Sequence, residues 1–472
     1  MAKTILFSPI GGTDPISKYN LYEGAMLHIC RYYKPDKVVL YFSKEILVKR
    51  DMIREGSQDP FKFCLDELSK LQNRKEVEYE RIDRPKLEEV QDFNYFYDDF
   101  GIIIKELIDK YKDEDTTILL NVSSGTPAMK SGLIVLQTME EYRNCKLVQV
   151  VTPEGEMNQH IHSETLDIKT LDIKTLWKKN NDNKKNAKKR CATISCPSLK
   201  ALKYEHIIKK LIANYDYAAA LEIAENISIH SKRYIEFIRL AKHRLLLDSN
   251  EVDKIAKNIN YDCILIKEEY NRKLFEYALS VDVKVKRGEY ADFIRSITPL
   301  VVELFKVVLK DKLKIDIEKY IDNTNNKEKW SKRKLNSDTC GQNLLKIFNA
   351  QYNNGAKLGK NEFNFGNVSS YNLLGIIKEK SKDKILKGIS QNLRSIETSI
   401  RNFAAHQIVS ITNDSIKNAT QNDPEIKSAI SAEDIMDLIK QLFEYTSFNI
   451  KEEMWNSYDA MNNEIVKRID EK

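Results

Sequence analysis

The sequence predicts an α/β domain followed by an all-α region: a mostly parallel, Rossmann-like sheet, then a helical connector, then a C-terminal helical domain. Three observations carry this expectation. Short β-branched runs alternate with helical segments over roughly the first 155 residues, the pattern of strands joined by crossover helices. After Pro197 the apolar residues recur at three and four almost to the end. The 472 residues, 42% hydrophobic and 31% charged, are enough for about three globular domains at roughly 150 residues each.

Strands are expected at 3–10, 37–42, 76–82, 117–122 and 146–152, where runs such as Val-Val-Leu-Tyr-Phe are apolar enough to be buried on both faces. Helices are expected between them at 21–33, 61–71, 96–111 and 127–142. Leu-Asp-Ile-Lys-Thr then occurs twice, at 166–170 and 171–175, with the alternation of a hairpin arm. Residues 178–190 carry seven lysines and arginines against Asp182 and read as a solvated linker. Amphipathic helices follow at 199–213, 217–227, 232–247, 252–259 and 268–279, and a longer one begins at Tyr290. The polar stretch 316–355, within a wider polar region at 312–360, reads as an insertion or loop, and long helices are expected at 383–411 and 432–453. The expected domains are 1–177, with a hairpin extension at its end, 178–285 as connector and 286–472 as the helical domain.

Charge narrows the function little. The 76 basic and 70 acidic residues leave +6, and the 178–190 tract alone accounts for 7 − 1 = +6. The remainder is neutral, so a basic nucleic-acid surface has to come from local arrangement. The N-terminal apolar run is too short for a signal peptide, and no stretch approaches the roughly 20 apolar residues of a membrane span. Seven cysteines, an odd number without paired spacing, point to reduced thiols in a cytoplasm, and no metal site is expected. His160 and His162 fit a polar loop or rim.

Two loops sit where an open parallel sheet binds ligands, beyond the carboxyl ends of strands. One follows the first strand and contains Gly11, Gly12, Thr13 and Asp14; the other follows the fourth and contains Ser123, Ser124, Gly125, Thr126 and, one helical turn on, Lys130. Small residues allow close backbone approach. Pro127 opens a helix whose free N–H groups favour a phosphate or other electron-rich group. Neither loop is a Walker A motif or a GxGxxG turn, so ATP hydrolysis and NAD binding are unsupported. Singly, each loop is also ordinary cap and turn chemistry.

Near the C-terminus Ile385, Ile389, Leu393, Ile396, Ile400 and Phe403 define an amphipathic helix that also carries Glu397, Arg401, Asn402 and His406. Histidine can pass protons to and from a ribose 2′-OH or a leaving 5′ oxygen, and arginine stabilises charge on phosphoryl oxygens. Glu397, four residues before Arg401, can orient its guanidinium. Such a pair can cut RNA without a metal, the substrate's own 2′-OH serving as nucleophile. At about 100° per residue the two side chains diverge by about 140°, so two copies across a two-fold axis would build one cleft better than a single helix. Taken alone, Arg and His at this spacing are common by chance.

Three stretches occur together and in order: Phe7-Ser-Pro-Ile-Gly-Gly-Thr-Asp-Pro15, Asn121-Val-Ser-Ser-Gly-Thr-Pro-Ala-Met-Lys130 and Arg401-Asn-Phe-Ala-Ala-His406. The chain thereby resembles, over nearly its whole length, the CARF–HEPN ribonucleases associated with type III-A (Csm) CRISPR systems. Residues 290–309 are similar to that family's first HEPN helix. The resemblance implies a homodimer whose paired CARF domains bind a cyclic oligoadenylate from the CRISPR effector complex. Binding then activates cleavage of single-stranded RNA, leaving a 2′,3′-cyclic phosphate. It assigns Arg401, Asn402 and His406 to catalysis and Gly11, Gly12, Thr13, Asp14, Ser123, Ser124, Gly125, Thr126 and Lys130 to the ligand. Cyclic hexa-adenylate is favoured over tetra-adenylate. Some relatives also slowly cleave the ring; Gly12, where some of them carry a polar side chain, counts against that here. The alternative is a ligand-responsive RNA-binding or regulatory protein with an inactive HEPN domain, against which the intact Arg401, Asn402 and His406 argue.

Overall fold

A computed structural model describes residues 3–49, 58–112, 115–153, 172–184, 187–227, 231–324, 327–355, 363–406 and 410–471; the side chains of 324, 353–355 and 400–406 also lie outside the description. The chain forms two compact units, Met1–Lys203 and Tyr204–Lys472.

The first unit is a doubly wound α/β layer. Its strands are β1 (Lys3–Pro9), β2 (Lys37–Ser43), β3 (Glu78–Arg84), β4 (Thr116–Asn121), β5 (Cys145–Val150) and β6 (Cys191–Ile194). The sheet order is β3-β2-β1-β4-β5-β6, with β1 to β5 parallel and β6 antiparallel to β5. The period of two sends Leu6, Val38, Leu40, Phe42 and Leu119 to one face, against α1 (Ala25–Tyr33), α2 (Lys44–Lys49) and α3 (Pro60–Leu71). It sends Ile5, Phe7, Val39, Tyr41 and Leu120 to the other, against α4 (Phe93–Lys110) and α5 (Pro127–Glu140). Between α1 and α4 the chain has run outward through β2 and β3. It then returns to lay β4 beside β1, in the register Lys3↔Thr116 to Phe7↔Leu120. That reversal makes the β1–β4 edge the topological switch point, so the loops after β1 and β4 face one crevice.

The structure corrects three expectations. The second Leu-Asp-Ile-Lys-Thr copy is not a hairpin arm: Asp172 caps a helix, α6 (Ile173–Lys179), by accepting from Thr175 N–H (2.7 Å), and Leu176 is buried. The first copy lies outside the described residues, as do His160 and His162. The described part of the basic tract is not a solvated linker either, since Asn180 and Asp182 are buried and the tract leads into β6. Third, most of the 316–355 region is ordered: a 3-10 turn, a hairpin of Ile321–Thr324 with Lys327–Trp330, and the helix Thr339–Gly355 bury Trp330, Leu335, Leu344 and Phe348 in the core.

Among the described residues, the regular structure of the second unit is helical apart from that hairpin. One core runs from Ile208 to Ile469 and takes in the long helix Tyr290–Asp311 and the helix Lys384–His406. Helices of the expected connector contribute to this core. Tyr217 donates to Asn462 Oδ1 (2.7 Å), and Arg244 binds Glu276 (2.9 Å) and Ser457 (2.9 Å) while lying over the Tyr458 ring. Ile385 departs from the expected apolar stripe: it is 68% exposed, whereas Ile389, Leu393 and Ile396 are buried. Among the described residues no helix is long and apolar enough to cross a membrane.

Candidate functional site

The two loops at the switch point interlock. Asp14, fully buried, accepts from Gly11 N–H (3.1 Å), from Met26 N–H (3.2 Å) and from the Ser124 hydroxyl. Gly11 N–H also donates to Ser124 Oγ (3.0 Å). Asp14 and Ser124 are therefore turned toward each other and fasten the loops. Thr126 is a helix cap: its Oγ1 accepts from Met129 N–H (3.3 Å) and donates to the Val90 carbonyl (2.7 Å). Gly125 has φ +84°, and an added Cβ would come within 2.8 Å of Met129 Sδ and 3.1 Å of Pro9 Cβ, so the turn requires glycine.

What this scaffold leaves open is a cavity of about 480 Å³ at the carboxyl ends of the strands. Of the expected ligand residues, Thr13, Ser123 and Lys130 line it, and Gly12 lies exposed with no atom within 4 Å of an added Cβ. Ser123 is aimed by its own hydrogen bonds: its N–H donates to Asn121 Oδ1 (2.9 Å) and its Oγ accepts from Val150 N–H (2.7 Å).

Sequence reasoning missed the opposite wall: Ser17, Tyr19, Asn20, Tyr22 and Arg190. Residues 17–22 form a loop closed by the Ile16↔Glu23 bridge, so α1 begins at Ala25 rather than at Leu21. The Tyr-Asn-Leu-Tyr-Glu-Gly composition was the available turn signal. Arg190 had no signal beyond its place in a basic run.

Behind that wall is a buried ion network. Glu23 takes a forked bond from Arg31 (Nε 3.0 and 2.9 Å), and Asp182 accepts from Arg190 Nη2 (2.8 Å). His28 Nε2 accepts from Arg190 N–H (3.0 Å), so that nitrogen carries no proton, and Nδ1 faces Glu23 (3.4 Å) and Asp182 (3.7 Å). Burial opposes ionisation of Glu23, yet bonds from His28 and Arg31 outweigh it and hold the carboxyl below its ordinary value. Asp182 is lowered in the same way, burial being overcome by His28, the Glu23 N–H and Arg190. The ligand atoms of Glu23, His28 and Asp182 lie within 4.8 Å of one another, a spacing a metal ion could bridge. Here two guanidiniums already supply the positive charge. Arg190 is 9% exposed and its buried Nε has no acceptor among the described residues, which leaves a donor beside the cavity.

In the helical unit, Arg401, Asn402 and His406 occupy the last turns of Lys384–His406; their side chains lie outside the described residues. Glu397, expected to orient Arg401, is buried and accepts from Arg394 Nη1 (3.1 Å) and from the Ser370 hydroxyl.

Three family models match the chain in order: the Cas_Csm6 CARF domain over 80–191, the Csm6 6H domain over 194–245 and the Cas_Csm6 HEPN domain over 263–466. A Mycobacterium tuberculosis protein named CRISPR system endoribonuclease Csm6 is 30% identical over 467 residues, 99% of either chain. A Streptococcus thermophilus protein of the same name is 29% identical over 307 residues, 63% of this chain and 65% of its own. The solved structure of Enterococcus italicus Csm6 bound to cyclic hexa-2′-fluoro-hexa-dAMP shares the fold, with TM-score 0.64 and 20% identity over 99% of this chain and 100% of that one. On that full-length likeness, the chain whose crevice and motif helix are described above belongs to the Csm6 family, with CARF, 6H and HEPN domains in that order.

Proposed function

We propose that this chain is an accessory endoribonuclease of type III-A CRISPR defence, specific for single-stranded RNA and switched on by cyclic oligoadenylate. The observation that carries the reading is Arg401-Asn-Phe-Ala-Ala-His406 kept intact in a member of the Csm6 family. In this reading His406 exchanges protons with the ribose 2′-OH and the leaving 5′ oxygen. The 2′ oxygen forms its bond to phosphorus as the P–O5′ bond breaks, leaving a 2′,3′-cyclic phosphate and a 5′-hydroxyl. Arg401 stabilises the charge on the phosphoryl oxygens, and Asn402 positions the imidazole. No step asks for a metal. Two chains pair to bring both copies of the motif to one cleft.

The activator occupies the switch-point cavity. Thr13, Ser123 and Lys130 line it, Arg190 adds a charged donor to the same lining, and the small residues Gly11, Gly12 and Gly125 let the ring approach the two loops. Asp14, Ser124 and Thr126 act by holding those loops in place. A ring of six adenylates is favoured over one of four, in keeping with the six-membered ligand carried by the Enterococcus italicus relative.

The test is cleavage of an end-labelled single-stranded RNA in excess chelator. Cutting is expected only when cyclic hexa-adenylate is added, with cyclic phosphate ends. It should fall at least 100-fold in His406→Ala, within the range for losing a general acid–base group. Cutting that needs added Mg²⁺ would overturn the mechanism.

A further inference from the structure

The helical unit carries a second recess that neither the cavity nor the motif accounts for. It is a groove of about 880 Å³ between the helices Thr339–Gly355, Ser370–Lys380 and Lys384–His406 and the turn at 423–425. Its size suits a sizeable ligand, against about 300–1,000 Å³ for small-molecule sites. Charged and amide side chains make up half of the lining residues, interleaved with apolar ones such as Ile347, Leu374 and the Tyr371 ring.

Three cations reach the groove, one from each helix: Lys346, Lys378 and Arg394. Lys346 and Lys378 are exposed and have no ion-pair partner among the described residues. Arg394 pairs with Glu397 and lies 5.9 Å over the ring of Tyr371, which is itself 41% exposed. The acids at the 423–425 turn are spent on internal donors. Asp423 accepts from the Ser399 hydroxyl and from the N–H groups of Glu425 and Ile426. Glu425 accepts from Gln391 Nε2 (2.8 Å) and Ser395 Oγ (2.5 Å). Glu379 is the third carboxylate of the lining, so its three cations are matched in number by three acids, and Lys346 and Lys378 are the two cations without an ion-pair partner among the described residues.

Because a carboxylate only accepts, the Gln391 amide must turn its nitrogen to Glu425, which leaves Gln391 Oε1 buried and unpartnered. Gln351 is fixed likewise by donating to the Tyr371 carbonyl (3.1 Å), and its Oε1 is also unpartnered. An occupant rich in O–H and N–H groups would satisfy both after a small side-chain rotation. The groove also follows the helix of the motif. Gln391, Arg394, Ser395 and Thr398 recur at three and four along the helix whose last turns carry Arg401, Asn402 and His406.

We propose that this groove holds the single-stranded RNA that flanks the cleaved bond. Lys346 and Lys378 meet backbone phosphates, Tyr371 stacks a base, and the amides of Gln351 and Gln391 meet sugar hydroxyls or base amines. The identity of the strand as RNA rests on the ribonuclease reading above. The groove's capacity for a polyanion with stacking bases does not.

The experiment uses the full chain carrying His406→Ala and a fluorescein-labelled 20-nucleotide single-stranded RNA, read by anisotropy. Adding Lys346→Ala with Lys378→Ala is expected to weaken binding about tenfold. It should also lower the slope of log Kd against log salt by about 1.4, two contacts at roughly 0.7 each. Tyr371→Ala should weaken binding about fivefold, and Tyr371→Phe should restore it. In the chain with His406 intact, the same changes should raise KM more than they lower kcat. Affinity and salt slope within twofold of the parent in every variant would overturn the groove, even in a chain that cuts RNA. Groove-dependent binding by a chain that never cuts would uphold it while the ribonuclease reading fell.

Discussion

Gly125 sits at φ +84° with Met129 Sδ and Pro9 Cβ already against the place a Cβ would take. Gly125→Ala therefore meets both a left-handed backbone penalty and a clash at the hinge of the two loops. A loss of about 1–3 kcal/mol is expected in denaturant titration, with weaker ring binding because Ser123 is displaced. Behind the cavity, Glu23 and Asp182 have folded pKa values below their ordinary 4.5 and 3.8, for the reasons given above. A lowered carboxyl contributes stability that is complete above its unfolded value and is lost as pH falls through the folded one. Glu23→Gln leaves Arg31 without its counter-charge and should cost about 3–5 kcal/mol near pH 7. That gap in melting temperature should narrow as pH falls below the ordinary value of 4.5 and close once the native carboxyl is protonated too. A gap that stayed constant across this window would mean that Glu23 acts by shape and not by charge.

At the scale of elements, strong periodicity was legible and weak periodicity was not. Five strands and their crossover helices could be read because buried parallel strands are continuously apolar and their helices keep a 3.6-residue stripe. β6 escaped notice: four residues at a sheet edge, with burial only at Cys191 and partly at Ile194, leave almost no pattern. The basic tract before it reads as solvent-exposed by composition, yet Asn180, Asp182 and Arg190 are drawn in by specific polar partners that composition does not encode. The hairpin at Ile321–Trp330 was hidden for the same reason, its polar strands being anchored by one buried pair, Ile321 and Trp330. In the site, loop positions were legible from small residues, whereas the division between residues that fasten and residues that face the cavity was not. Arg190 belongs to both groups, since it bonds Asp182 and the Glu23 and Val151 carbonyls while lining the cavity. Arg190→Ala is expected to lose about 2–3 kcal/mol of stability and at least tenfold in affinity for cyclic hexa-adenylate by calorimetry. Arg190→Lys should restore neither, because one ammonium cannot span the acceptors a guanidinium fork reaches.

For the molecule as a whole, the size of the cavity bears on how many chains meet one ring. A volume of 480 Å³ lies in the range of about 300–1,000 Å³ that suits drug-sized ligands, whereas a ring of six nucleotides is several times larger than such a ligand. One chain can then hold only part of the ring. A ring with an even number of identical nucleotides has a two-fold axis, and two copies of the same cavity related by that axis present the same donors twice. The activator should therefore bind as one ring to two chains, and by linkage it should tighten their association as much as pairing tightens ring binding. Calorimetric titration is expected to give a stoichiometry of about 0.5 ring per chain, and native mass measurement a species of two chains plus one ring. Ring affinity should weaken as the protein is diluted toward its monomer. A stoichiometry of one, unchanged on dilution, would mean that each chain encloses its own ligand. The two-fold cleft proposed for Arg401 and His406 would then lose the signal that couples its halves.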